Sequence, residues 1–239
     1  MPKDVSTTSG SGAVSSATSR FLKMVEDAKK SLGPVRMIFG FDATASRQET
    51  WNAAIPMQAD LLALFSRLGE TPPLMRLTYF RGRDEFQTTS WSNDLNVLTQ
   101  WMDSVSCISG DTQIAKVLSD AVAQARQGKI AAVLYVGDCM EESTATLYSY
   151  AGQLGELKVP VYLFQEGTDR DAFRTFAEIA RLTGGRHVEF KTGNFKEMSD
   201  MAKVVIAQAS GNPRAIAAVR DDKSLTAGAK ALMLSFMPK

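Results

Sequence analysis

The sequence predicts an α/β fold: a doubly wound, mostly parallel central sheet with helices on both faces and one antiparallel edge strand. Three observations predict it. The apolar runs Val35 to Phe41, Ile130 to Val136 and Val159 to Phe164 are of strand length and suit strands buried on both faces. Amphipathic segments of helical period alternate with them, as parallel crossovers require. The turn Arg81-Gly82-Arg83-Asp84 joins two adjacent strand-like runs and reads as the only hairpin.

The elements follow in order. Residues 1–20 are a disordered tail, because Ser6 to Ser19 is nearly all Ser, Thr, Gly and Ala and cannot bury enough apolar surface to offset its ordering entropy. Phe21 to Ser31 has helical spacing, and Gly33-Pro34 stops this N-terminal helix, assigned to residues 21–33. The main domain spans residues 34–210. It begins with strand Val35 to Phe41 and helix Glu49 to Leu68, which Gly69 and Pro72-Pro73 close. Leu74 to Phe80 and Glu85 to Trp91 form the hairpin. Helix Asp94 to Val105 carries Leu95, Leu98, Trp101 and Met102 on one face, and helix Thr112 to Gln127 turns Ile114, Leu118, Ala121 and Val122 inward before Gly128 stops it. Strand Ile130 to Val136, helix Thr144 to Leu157, strand Val159 to Phe164, helix Asp169 to Leu182, strand Arg186 to Phe190 and helix Phe195 to Ala209 complete the series. Residues 211–239 are a C-terminal extension in which Ala215 to Phe236 offers a docking helix.

Composition narrows the function. A chain of 239 residues, 44% hydrophobic, can bury one substantial core. Twenty-seven basic against 26 acidic side chains leave a net charge of +1, so no global field draws it to nucleic acid or to an anionic membrane. The two cysteines, Cys107 and Cys139, are too few for a disulfide framework, and no leader pattern precedes them, so a cytoplasmic location is expected. No apolar run approaches the roughly 20 residues a bilayer span needs.

The functional signal lies in three loops. Asp42-Ala43-Thr44-Ala45-Ser46 follows the first strand and places an oxygen ligand on every second residue. Ser109-Gly110-Asp111-Thr112 opens a helix, and Gly137-Asp138 closes a strand. All three fall at the carboxyl ends of the strands, where ligands of open α/β sheets bind. Together they supply carboxylates and hydroxyls suited to a small, hard divalent ion.

With these residues the chain resembles a von Willebrand factor type A domain, in particular its stand-alone bacterial members, over about residues 34–210, and the three loops resemble that family's metal-ion-dependent adhesion site. The resemblance implies Asp42, Thr44, Ser46, Thr112 and Asp138 as metal ligands for Mg²⁺, or Mn²⁺ or Ca²⁺. It also implies a free coordination position for an acidic side chain of a protein partner, hence binding rather than catalysis. Three positions depart from the family's pattern. Thr44 replaces the more usual Ser and keeps the hydroxyl, Asp111 stands where Gly often precedes the Thr, and Cys139 follows Asp138 where Gly is common.

Plainer readings accompany these. Thr44, Ser46, Asp111 and Thr112 are all residue types that cap helices. His187 near a strand start reads as structural, Cys139 as packing and Arg81 and Arg83 as a solvated turn, while Trp51 either rims the site or enters the core. The alternative function is a phosphoryl-transfer enzyme of the haloacid-dehalogenase type with Asp42 as nucleophile, since Asp42-Ala43-Thr44 and Gly137-Asp138 resemble its elements. Lys116 and Lys129 are the weak candidates for its lysine, and no cap insertion is evident. A third reading makes the metal structural and gives recognition to Ala215 to Phe236.

Overall fold

The computed structural model describes residues 34–48, 51 and 73–236. The expected tail, N-terminal helix and Glu49 to Leu68 helix lie outside the described residues. Six strands form one sheet: β1 Arg36–Asp42, β2 Leu74–Arg81, β3 Glu85–Thr88, β4 Ala132–Gly137, β5 Val161–Glu166 and β6 Arg186–Phe190. Their order is β3-β2-β1-β4-β5-β6, with β3 antiparallel to β2 and every other pair parallel. This is the doubly wound sheet with one antiparallel edge that the sequence predicts.

Alternation along β1 divides the core. Met37, Phe39 and Phe41 face one side, where they pack with α1 (Leu95–Asp103), α5 (Phe195–Ser210), α6 (Pro213–Arg220) and α7 (Ala227–Leu234). Ile38 faces the other, with α2 (Ile114–Gln127), α3 (Thr144–Glu156) and α4 (Arg170–Thr183). Period-two alternation thus feeds two separate apolar layers from one strand. Trp51 resolves to the first layer: it is buried and meets Phe41 edge-on at 5.5 Å between ring centroids.

β3 ends at Thr88, short of the expected Trp91, because the chain leaves regular pairing there. Leu77 N–H donates to the Thr89 hydroxyl at 3.0 Å, and only an isolated bridge joins Met75 to Ser92. β4 starts at Ala132 rather than Ile130, while β5 runs past Phe164 to Glu166. No described helix is long and apolar enough to cross a membrane.

The expected single helix from Ala215 to Phe236 is instead two. α6 and α7 are separated by a turn in which Asp222 accepts from the Ser224 N–H at 2.8 Å, and their apolar residues Ala215, Val219, Ala229, Leu232 and Met233 are buried in the same layer as α5. That apolar face is therefore already occupied. Asp200 of α5 fastens the arrangement: it is 1% exposed and accepts from Lys196 Nζ at 2.7 Å, Lys203 Nζ at 3.3 Å and the Thr226 N–H at 3.0 Å. Asp200→Ala removes the acceptor shared by two ammonium groups and the α7 entry, leaving Lys196 the Ser224 carbonyl. It should destabilise the protein by about 2–4 kcal/mol in urea unfolding, well above the cost of a surface ion pair.

Candidate metal centre

The parallel register brings the expected site residues to one edge. β1 pairs with β4 as far as Phe41 opposite Val136, so Asp42 and the Gly137-Asp138 turn emerge side by side. Gly137 allows the turn, because a Cβ there would sit 2.5 Å from the Tyr135 hydroxyl. The third loop is carried over by the hairpin. Ile108 N–H donates to the Ala43 carbonyl at 3.1 Å, and Gln113 Nε2 donates to the Arg81 and Gly82 carbonyls at 3.3 and 3.2 Å. At Gly110 any Cβ would lie 1.9 Å from the Gly82 carbonyl oxygen, so only glycine permits this approach. Arg81 is more than a solvated turn residue: it pairs with Glu85 at 2.8 Å and donates to the Ser106 carbonyl at 2.7 Å, bracing the same loop.

Asp42 and Asp138 each bring an oxygen, and Cys139 its sulfur, to within 4.8 Å of one another. Asp42 is fully buried; its Oδ1 accepts from the Thr44 N–H at 2.8 Å. Asp42 Oδ2 and Asp138 Oδ1 are buried with no hydrogen-bond partner among the described residues. Burial, opposed by the Thr44 hydrogen bonds and reinforced by the Asp138 charge, raises the Asp42 pKa to about 6. A buried carboxylate oxygen without a donor is costly, and a hard cation between the two would satisfy both. The residues present fit such an ion.

The hydroxyls are disposed less uniformly. Thr44 Oγ1 and Ser46 Oγ lie 3.2 Å apart, with Thr44 buried and Ser46 exposed at the mouth. Thr112 is buried, and its hydroxyl accepts from the Glu141 N–H at 3.1 Å while its own N–H donates to Glu141 Oε2 at 3.3 Å. Cys139 belongs to the cluster rather than to packing alone. Burial and the Asp138 and Asp42 charges drive its thiol far above the usual range, and a hard ion has little preference for sulfur.

Glu142, Arg47 and Glu166 were not singled out in the sequence as site residues, whereas Asp111 was. Asp111 is exposed and outside the carboxylate cluster, so it neither approaches the ion position nor caps α2. That cap comes from Glu142 across the edge, which accepts from the Ile114 and Ala115 N–H groups, the latter at 2.9 Å. Arg47, 4% exposed, forms a buried ion pair with Glu166 at the end of β5. The visible signals were the acidic Glu141-Glu142 pair just after Asp138 and a Gln165-Glu166 ending on an apolar strand. His187 Nε2 bonds Gln165 Oε1 at 2.9 Å, and burial lowers its pKa to about 4, leaving it neutral.

Comparisons with known proteins are structural only. No family model and no curated protein matches the sequence. Among solved structures, the VWA domain of SpRpn10 superposes with a TM-score of 0.57 at 10% identity, covering 74% of this chain and 95% of that one. A von Willebrand factor type A protein from Catenulispora acidiphila gives 0.56 at 12% identity, covering 75% and 43%. Proximal thread matrix protein 1 from the mussel byssus gives 0.57 at 19% identity, covering 82% and 52%. The fold is that of a von Willebrand factor type A domain.

The raised pKa of Asp42 fixes a pH dependence. A carboxyl whose folded-state pKa lies above its unfolded value near 3.8 contributes fully to stability below pH 3.8 and loses that contribution as pH rises through about 6. In EDTA, Asp42→Asn should therefore be more stable than the native protein at pH 8 by about 2–3 kcal/mol, and the gap should close toward pH 4. Paired urea titrations across that window measure it.

Proposed function

We propose that this protein is a non-enzymatic binding module whose metal site recognises an acidic side chain of a protein partner. The observation that carries the proposal is the pair of buried, unpartnered carboxylate oxygens of Asp42 and Asp138 at the carboxyl edge of the sheet. Asp42, Thr44, Ser46, Thr112 and Asp138 would hold Mg²⁺, with Mn²⁺ or Ca²⁺ as substitutes. When bound, the ion supplies a Lewis-acidic position for the partner's carboxylate. Asp42 and Asp138 provide two negative charges against the ion's two positive ones, so an incoming carboxylate is not repelled. Ser46 is exposed at the mouth, and Ile108, 45% exposed on the neighbouring loop, offers an apolar rim to the same partner. A cytoplasmic setting belongs to the proposal and draws support from Cys107 and Cys139, both free thiols.

Millimolar Mg²⁺ should raise the melting temperature, since a ligand of the folded state alone stabilises it by about 2.7 kcal/mol at about one hundred times Kd. Asp42→Ala should remove the response. Capture of partners in Mg²⁺ and in EDTA tests recognition directly: binding that survives EDTA and Thr112→Ala would place the recognition surface elsewhere.

The dehalogenase-type alternative has a strand-terminal Asp42 in its favour, but among the described residues neither candidate lysine is directed to it. Lys116 Nζ donates to Gln113 Oε1 at 2.7 Å and to the Asp84 carbonyl at 3.1 Å, and Lys129 precedes β4 at the opposite edge of the sheet. A phosphatase screen with Mg²⁺ should find no turnover; turnover abolished by Asp42→Asn would favour the enzyme.

A further inference from the structure

A guanidinium beside a dication site is, on charge alone, an adverse neighbour, yet Arg47 directly follows Ser46 and is buried. Its ion pair has a defined path. β4 lies between β1 and β5 in the sheet, so a side chain from the loop after β1 that reaches Glu166 at the end of β5 must pass the carboxyl end of β4, where Asp138 emerges. The Arg47 charge acts on Asp138 and Asp42 accordingly. Arg47 Nε has no hydrogen-bond partner among the described residues, so the Nη1 contact to Glu166 is a main anchor of the head group.

The carboxylates of Asp42, Asp138 and Glu166 thus meet the Arg47 guanidinium at this edge, with Glu142 committed to the α2 cap beside them. With Arg47 matched by Glu166, two carboxylate charges remain to face a divalent ion. Without Glu166 the guanidinium is left to Asp42 and Asp138, and only one net negative charge remains. Without Arg47 that positive charge is lost from beside Asp42 and Asp138. At such separations in a partly desolvated site, each unit of charge changes the attraction for a dication by well over a thermal unit.

We propose that Arg47 is a tethered counter-cation that sets the metal affinity of the site, with Glu166 governing how much of its charge Asp42 and Asp138 feel. The proposal rests on the metal-binding role given above and adds its regulation: Arg47 keeps the ion weakly held and exchangeable, and occupies the carboxylates when the ion leaves. Arg47 and Glu166 act here as positioning residues and touch no partner.

The test is Mn²⁺ binding to the full chain, followed by electron paramagnetic resonance and calorimetry, in four proteins: native, Arg47→Met, Glu166→Gln and the double variant. Arg47→Met should tighten Mn²⁺ binding by about tenfold or more, Glu166→Gln should weaken it by a similar factor, and the double variant should return near the native value because its charge sum is restored. In EDTA, Arg47→Met should melt lower than the native protein, and Mn²⁺ should recover the loss. If Arg47→Met does not fold, Glu166→Gln against the double variant carries the same comparison. Native binding with all variants within about twofold overturns the counter-cation role and leaves metal binding standing. Binding by Arg47→Met but not by the native protein would support the role, with the guanidinium permanently in the cation's place, and would remove metal-dependent recognition. No binding by any of the four would overturn both.

Discussion

A buried carboxylate, Asp42, beside a half-buried one, Asp138, is the constraint on which the rest of this site turns. Asp42 and Asp138 are delivered by adjacent parallel strands, and the register that puts Phe41 opposite Val136 leaves them nowhere else to go. Their charges repel, their outer oxygens lack donors, and burial raises the Asp42 pKa to about 6. A fold that keeps such a pair must supply a proton, a cation or a counter-charge. The surroundings offer the last in Arg47 and a ready place for the second in the oxygen-rich loops. The Cys139 thiol bonds to Asp138 but supplies no positive charge.

The surrounding architecture explains why the pair is tolerated. The sheet is covered on both faces by apolar layers fed from alternate residues of the same strands, and this burial stabilises the domain far more than the charged edge costs it. Polar chemistry is confined to the carboxyl edge, where backbone groups of the three loops are tied to one another and to the β2–β3 hairpin. At the far end of the chain, Asp200 binds the last helix to the core, so the segment that looked free for docking is committed to packing.

Much of the fold was legible in the sequence because parallel strands and amphipathic helices each carry their own period. The mostly parallel sheet follows from that alternation and the antiparallel edge from the Arg81-Gly82-Arg83-Asp84 turn, whereas the strand order came only from the structure. Asp42, Thr44 and Asp138 were legible as candidates because loop chemistry at strand ends is local. Glu142, Glu166 and Arg47 were not, since their partners lie on other elements: Glu142 caps a helix that begins 28 residues earlier, and Arg47 pairs across 119 residues. The break between α6 and α7 coincides with the polar run Arg220-Asp221-Asp222-Lys223-Ser224, which a reading of Ala215 to Phe236 as one helix passes over.

The reciprocal bonds of Thr112 with Glu141, together with the Glu142 cap on α2, weld two of the three loops into one piece. Movement of Thr112 toward a ligand would have to drag the first turn of α2 and the entry to α3 with it. The loop after β1 is tied to the loop before Thr112 by the Ile108 N–H bond to the Ala43 carbonyl, and Arg47 ties it elsewhere, to Glu166 at the end of β5. A ligand that touched all three loops would therefore bridge two separately braced parts of the sheet edge.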